Sequence, residues 1–278
     1  MDSSNSRYGL IAGNGRFPIL ALESAQSLGH EVVVIAVRGE ATEEIEKLGA
    51  RVHWITIGQL GKLIDTLKKE GIRKVMMAGQ VKHASLFSSI TPDWRLIKML
   101  ASLKERNTSA LIGGFQRVMR DEGIDLVDST ALLKPLLAVE GVLTTRKPSK
   151  EEEADILYGR RLAHVLASAD VGQSVAISEG ACVAAEAMEG TDAMLRRAGG
   201  LTDGKRLRLI KVSRGREHLL FDVPVVGPTT IETMMETRTT AMAIDAGRTL
   251  LLDKAKMLER ANAASIAIAA FPPHEDSK

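Results

Sequence analysis

Cysteine is almost absent from this sequence. The chain has one, Cys182, so no internal disulfide can form, which suits a reducing compartment. A lone cysteine among alanines reads as a small core residue. Aromatic residues are scarce at 3%, too few for base-stacking platforms. A surplus of one charge is missing too, because the net charge is +2. Together these exclude nucleic acid as an expected partner. No apolar run approaches the ~20 residues of a membrane span. The opening "MDSSNSRYG" lacks a basic-then-apolar signal pattern. The expected location is the cytoplasm, with loose contact to a membrane surface left open. Zinc-type Cys/His spacing, a GxSxG elbow and a P-loop are also missing, so metal-free acyl transfer has no visible nucleophile.

What remains is an ordinary globular composition. Of 278 residues, 45% are hydrophobic and 26% charged, enough for two domains with real cores. The first half alternates. "YGLIA", "EVVVIAV", "RVHWITI" and "RKVMMAG" read as strands. "FPILALESAQSLG", "TEEIEKLG" and "LGKLIDTLKKEG" read as the helices between them. This rhythm predicts a parallel sheet with helices on both faces. A helical stretch from Pro92 to Arg120, a strand "IDLVD" and a helix "STALLKPLLAVEG" complete a Rossmann-like domain over residues 1–143. The polar "TTRKPSKEEEAD" reads as a linker, residues 144–153, with Pro148 at a hinge. A second α/β domain follows over 154–278. It opens on a helix from Glu151 to Ala169, then "QSVAIS" and "ACVAAEA" as a hairpin about Glu179-Gly180. The second piece of that hairpin is readable as strand or helix. "KRLRLIKV" and "HLLFDVPVVG" follow as strands, with helices at Thr229–Arg238 and Asp253–Ala263 and short apolar strands between and after them.

Four stretches carry candidate chemistry. Gly13 and Gly15 in "LIAGNGRFP" stand between a strand and a helix, where a phosphate meets backbone N–H groups. The third glycine of a dinucleotide fingerprint is replaced by Pro18, and Arg38 stands near the place of the ribose-binding acid. Gln80, Lys82 and His83 lie at the carboxyl end of the fourth strand, placed to hold a phosphate or sugar. "EAMEGTDAM" sets Glu186, Glu189 and Asp192 three apart, around Gly190 and Thr191. Carboxylates repel a phosphate, and helix capping accounts for one acid rather than three. A divalent cation would let acids and a diphosphate share one site. Asp222 sits in an apolar strand, a costly setting unless it is paired or metal-bound. Lys211 precedes it, and Gly227, Thr229 and Thr230 follow at another helix start. Each stretch also has a purely structural reading: a tight turn, a polar loop, solvated acids or a plain cap.

The motifs "GLIAGNGRFP", "MAGQVK", "EGVLT", "DVGQSV", "AAEAMEGTDAMLRRAG" and "FDVPVVGP", in this order over nearly the whole chain, resemble the LpxI family, UDP-2,3-diacylglucosamine diphosphatases of lipid A biosynthesis in Gram-negative bacteria. The resemblance implies a Rossmann-like N-terminal domain and a family-specific C-terminal domain. It implies Mg²⁺- or Mn²⁺-dependent hydrolysis of UDP-2,3-diacylglucosamine to UMP and 2,3-diacylglucosamine 1-phosphate (lipid X), and a homodimer. It implies the key aspartate is Asp222. Where the family often has a Gln-Asp pair, this chain has Glu217 and His218. The combined expectation makes Asp222, Glu189 and Asp192 catalytic, and Asp222, Glu186 and Glu189 metal ligands. Gly13, Gly15, Gln80, Lys82, Gly190, Thr191, Lys211, Gly227, Thr229 and Thr230 are the expected substrate contacts. Met188, Met194, Met234 and Met235 are candidates for an acyl-binding surface or for plain core. The alternatives are an oxidoreductase using a nucleotide cofactor and a non-catalytic nucleotide-sugar-binding protein.

Overall fold

The computed structural model of the chain describes residues 6–79, 91–105, 108–128, 130, 132–214 and 223–274. Two compact units divide between Leu133 and Lys134.

The first unit is built on strands β1 (Arg7–Ala12), β2 (Glu31–Val37), β3 (Arg51–Ile55), β4 (Lys74–Ala78) and β5 (Asp125–Leu126). All pair in parallel, in the order β3-β2-β1-β4-β5. Helices α1 (Phe17–Ser27), α2 (Leu60–Lys69), α3 (Trp94–Ala101) and α4 (Thr108–Asp121) accompany them, with a 3₁₀ turn at Glu43–Leu48. The helical spacing of Leu60, Leu63, Ile64 and Leu67 does what the sequence implies: all four are buried against Val33, Ile35 and Val75. Each such burial stabilises by about 1.5–3 kcal/mol.

The second unit has β6 (Gly141–Val142), α5 (Lys150–Ser168), β7 (Ser174–Ser178), β8 (Ala181–Ala185), α6 (Thr191–Leu201) and β9 (Leu207–Lys211). It continues with β10 (Val225–Val226), α7 (Pro228–Glu236), β11 (Thr239–Asp245), β12 (Leu250–Leu251), α8 (Lys254–Ala263) and β13 (Ala267–Phe271). Its mixed sheet runs β6-β13-β11-β9-β7-β8, and β10 pairs with β12 apart from it. Alternation sorts the side chains. Leu207, Leu209, Met242 and Ile244 meet α6, α7 and α8, while Ile210, Ala241 and Ala243 meet α5. Among the described residues no helix is long and apolar enough to cross a membrane.

Two expectations need correction, and one open choice is decided. "ACVAAEA" is a strand, paired antiparallel with β7. The predicted helix "STALLKPLLAVEG" is, among its described residues, only a 3₁₀ turn at Lys134–Leu136. Pro135 cannot continue a helical ladder, and Ala138 is instead drawn into the second unit, where its N–H donates to Thr249 O at 2.9 Å. The boundary therefore falls before the expected 143, and residues 144–153 are not a linker. Arg146 donates to both carboxylate oxygens of Glu152, at 2.7 and 3.0 Å, and to Ser265 O at 2.7 Å. Ser149 and Glu152 form the capping box of α5. The polarity of this stretch serves capping, and Pro148 stands inside the second unit rather than at a hinge between the two.

At the end of β11, Asp245 is completely buried. It accepts from Arg160 at 2.7 Å, from Ser213 N at 2.7 Å and from Ser213 Oγ at 3.0 Å. Arg160 also lies over the Phe271 ring, 5.0 Å from its centroid. Removing one partner of such a pair strands the other charge. Asp245→Ala is expected to lower the unfolding free energy by about 3–5 kcal/mol, measured by urea denaturation. A loss under about 1 kcal/mol, the scale of an exposed pair, would refute this account of the pair.

Candidate active site

Three neighbouring strands bring polar side chains to one point in the second unit. Ser174 on β7 faces Lys211 across the antiparallel β7–β9 pair. Glu186, just past β8, donates its N–H to Ser174 O at 2.9 Å. Gly172 makes this approach feasible, since a Cβ there would stand 2.0 Å from Glu186 O. Gly190 then turns the chain at φ 84°, ψ 161°, a region open to glycine, so that Thr191 begins α6 over the strand ends.

Thr191 joins the group. Lys211 Nζ donates to Thr191 Oγ1 at 2.8 Å, and Ser174 Oγ lies 3.1 Å from the same oxygen. Thr191 Oγ1 donates to Glu186 Oε1 at 3.1 Å. A hydroxyl has one proton and two lone pairs. With its proton on Glu186, both neighbours must donate to it. All four residues are buried. The second carboxylate oxygen, Glu186 Oε2, is buried and has no hydrogen-bond partner among the described residues, and an ammonium has three protons of which this contact uses one. A buried lysine and a buried carboxylate thus each keep bonding capacity beside one hydroxyl, an arrangement able to hold a phosphate oxygen and a cation together.

The other acids of the run have different surroundings. Glu189 is claimed by Arg197 at 2.5 Å and by Ala187 N at 2.9 Å. Arg196, beside Arg197 in sequence, ties α6 to α7 through Glu236 at 2.9 Å and Thr233 at 3.1 Å. Asp192 is half-buried. Burial lifts its carboxyl above the usual range, Lys211 and Arg196 pull against that, and Glu186 adds to it. Among the described residues no three His, Cys, Asp or Glu gather as a metal site. Of the expected ligands, Glu186 fits a cation by its orphaned oxygen, Glu189 is held by arginine, and Asp222 lies outside the described residues, as do Glu217 and His218.

The remaining expected contacts are spread out. Gly13 N donates to Ala78 O at 2.8 Å, at the crevice between β1 and β4 where the strand order reverses. Gly15 has open space around it. Gln80, Lys82 and His83 lie outside the described residues. At the start of α7, Thr230 Oγ1 accepts from Gly227 N at 3.4 Å, and Thr229 is exposed while its carbonyl accepts from Thr233. These bonds stay within the helix start. Met194 and Met234 are core, whereas Met188 and Met235 are 69% and 54% exposed. Met234 and Met235 border an open cleft of about 530 Å³ with Arg206 and Arg238, at the opposite strand ends from Lys211.

The LpxI N-terminal domain matches residues 7–136, and the LpxI C-terminal domain matches residues 139–269. The chain belongs to the LpxI family. It is 29% identical to the UDP-2,3-diacylglucosamine pyrophosphatase LpxI of Caulobacter vibrioides, over 97% of this chain and 99% of that protein. Two of the solved structures it matches are more distant. A nucleoside-diphosphate-sugar epimerase from Pseudomonas aeruginosa is 12% identical with a TM-score of 0.28, covering 44% of this chain and 32% of its own. The biotin carboxylase domain of a Hydrogenobacter thermophilus 2-oxoglutarate carboxylase is 14% identical with a TM-score of 0.27, covering 63% and 35%. Likenesses this slight do not bear on function.

The Thr191 group falls within the LpxI C-terminal domain, and sequence reasoning missed one member, Ser174. Its signal was present. Ser174 shares the period-two face of Ala176, a buried core residue, and Ser178. A polar residue on that face needs a partner.

The raised Asp192 carboxyl has a measurable consequence. A group whose folded pKa exceeds its unfolded value adds stability below the unfolded pKa and loses it as pH rises through the folded one. Asp192→Asn is expected to melt like the parent below the ordinary Asp value of about 3.9 and above it at neutral pH. Melting curves at both pH values check this, and a pH-independent difference would contradict it.

Proposed function

We propose that this chain hydrolyses the diphosphate of UDP-2,3-diacylglucosamine to UMP and 2,3-diacylglucosamine 1-phosphate, a step of lipid A biosynthesis. The observation that carries the proposal is near full-length relatedness to a pyrophosphatase of that substrate, supported by a buried lysine–threonine–glutamate group with bonding capacity left for a ligand. Lys211 binds a phosphate oxygen with the N–H groups not given to Thr191. Thr191 holds the lysine and Glu186 apart and in register, and Ser174 fixes the hydroxyl's direction. Glu186 presents its free oxygen to a divalent cation, Mg²⁺ or Mn²⁺. A cation held there would supply neutralisation of the charge that develops on the departing phosphate. Asp222 is the proposed base or orienting group for the attacking water. Gly13 and Gly15 are proposed to receive an anionic group at the crevice of the first unit's sheet.

Purified protein is expected to release UMP from the diacylated substrate, to stop on addition of EDTA and to resume with Mg²⁺. Lys211→Met is expected to lower kcat/KM by about 10²–10³-fold, the scale of losing one charge-stabilising donor. Absence of UMP release in any metal would refute the activity. Parental turnover in Lys211→Met would refute the phosphate role.

A further inference from the structure

Helix α3 presents an outward face that its own fold leaves bare. Trp94 is 74% exposed and Ile97 43% exposed. Lys98 and Ala101 share that exposure, and the spacing 94, 97, 98, 101 is one helical stripe. The exposure is fixed by register. On the opposite side Met99 is buried in the first unit's core, with Leu96 and Leu100 packed against it. Asp93 locks the helix start, accepting from Leu96 N at 2.9 Å and from Gly61 N at 2.6 Å. Arg95 reaches back to Glu122 at 3.3 Å and to Asp65 at 3.8 Å. Trp94 therefore cannot turn inward without breaking the cap.

The composition around this face favours one partner. From Trp94 to Lys104 the chain carries Arg95, Lys98 and Lys104 and no acid. Arg95 is turned back to Glu122 and Asp65, while Lys98 and Lys104 are exposed. A tryptophan beside an isoleucine, flanked by lysines whose stems can lie along apolar surface, is the chemistry of a bilayer interface. Basic residues add attraction to anionic headgroups. We propose that the Trp94–Ile97–Lys98–Ala101 face of α3 docks on the surface of an anionic lipid bilayer. The choice of lipid over protein rests on the proposed diacylated substrate, which resides in such a surface.

Tryptophan occurs twice, at positions 54 and 94, so Trp54→Phe leaves Trp94 as the sole reporter. With vesicles of phosphatidylglycerol and phosphatidylethanolamine, Trp94 emission is expected to shift to the blue and to be quenched by brominated acyl chains. Pure phosphatidylcholine should produce neither effect. The complementary Trp94→Phe variant should show no shift from Trp54. Trp94→Ser with Ile97→Ser is expected to cut vesicle partitioning at least about tenfold, with unchanged hydrolysis of substrate dispersed in detergent. The proposal is overturned by a Trp94 spectrum insensitive to anionic vesicles, by an equal response to phosphatidylcholine, or by parental partitioning of the double variant. A blue shift that tracks protein concentration without lipid would also overturn it, assigning the face to a second copy. Detergent-dispersed turnover without vesicle binding sinks this inference alone. Vesicle binding without turnover sinks the proposed activity instead.

Discussion

Burying a lysine is the constraint around which the second unit is arranged. Lys211 ends β9 beneath the start of α6, and an ammonium removed from water is costly unless it is met by acceptors and opposite charge. Thr191 supplies the acceptor and Glu186 the charge, joined through one hydroxyl whose single proton sets the direction of every bond around it. Ser174 adds the third neighbour. The surroundings follow from that geometry. The chain must cross tightly over Glu186 at Gly172, then turn through Gly190 so that the first residue of the helix, rather than its second turn, lies over the strand ends.

The same geometry separates three carboxylates that look equivalent. Glu186, Glu189 and Asp192 recur every third residue, but the strand ends at Ala185 and the helix begins at Thr191, so no single periodicity spans them. Glu186 falls under the helix and is buried. Glu189 falls on the connecting turn, where Arg197 from α6 reaches back to it. Asp192 lies on the first turn of the helix, between burial and two cations. The paired arginines have equally separate tasks, Arg196 holding α7 and Arg197 holding the turn.

Polarity on the other face of the sheet is structural. Asp245 and Arg160 pin Ser213 just beyond β9, two residues after Lys211. One strand thus has its lysine placed from one face and its exit placed from the other. In the first unit the glycines Gly13 and Gly15 stand at the crevice where strand order reverses, the usual ligand position of an open parallel sheet.

Much of this was legible in the sequence because it is local. Unbroken β-branched runs such as "EVVVIAV" and helical spacing such as Leu60–Leu63–Ile64–Leu67 depend on short-range pattern. They placed the strands and helices of the first unit, the hairpin at Glu179-Gly180 and the helix after Ser149. Glu186, Thr191 and Lys211 could be singled out as polar residues among apolar ones. Two errors arose where local pattern yields to distant partners. "STALLKPLLAVEG" has helical composition, but Pro135 and the pull of Ala138 into the second sheet decide its course. "TTRKPSKEEEAD" resembles a linker because its polar groups are satisfied by Thr240 and Ser265, some ninety to a hundred and twenty residues away. The sequence by itself thus determined the elements, the two-domain α/β class and the family. Only the tertiary structure decided which acids share a site, because hydrogen bonds between β7, β9 and α6 depend on strand order and register, and neither is encoded in any contiguous stretch of residues.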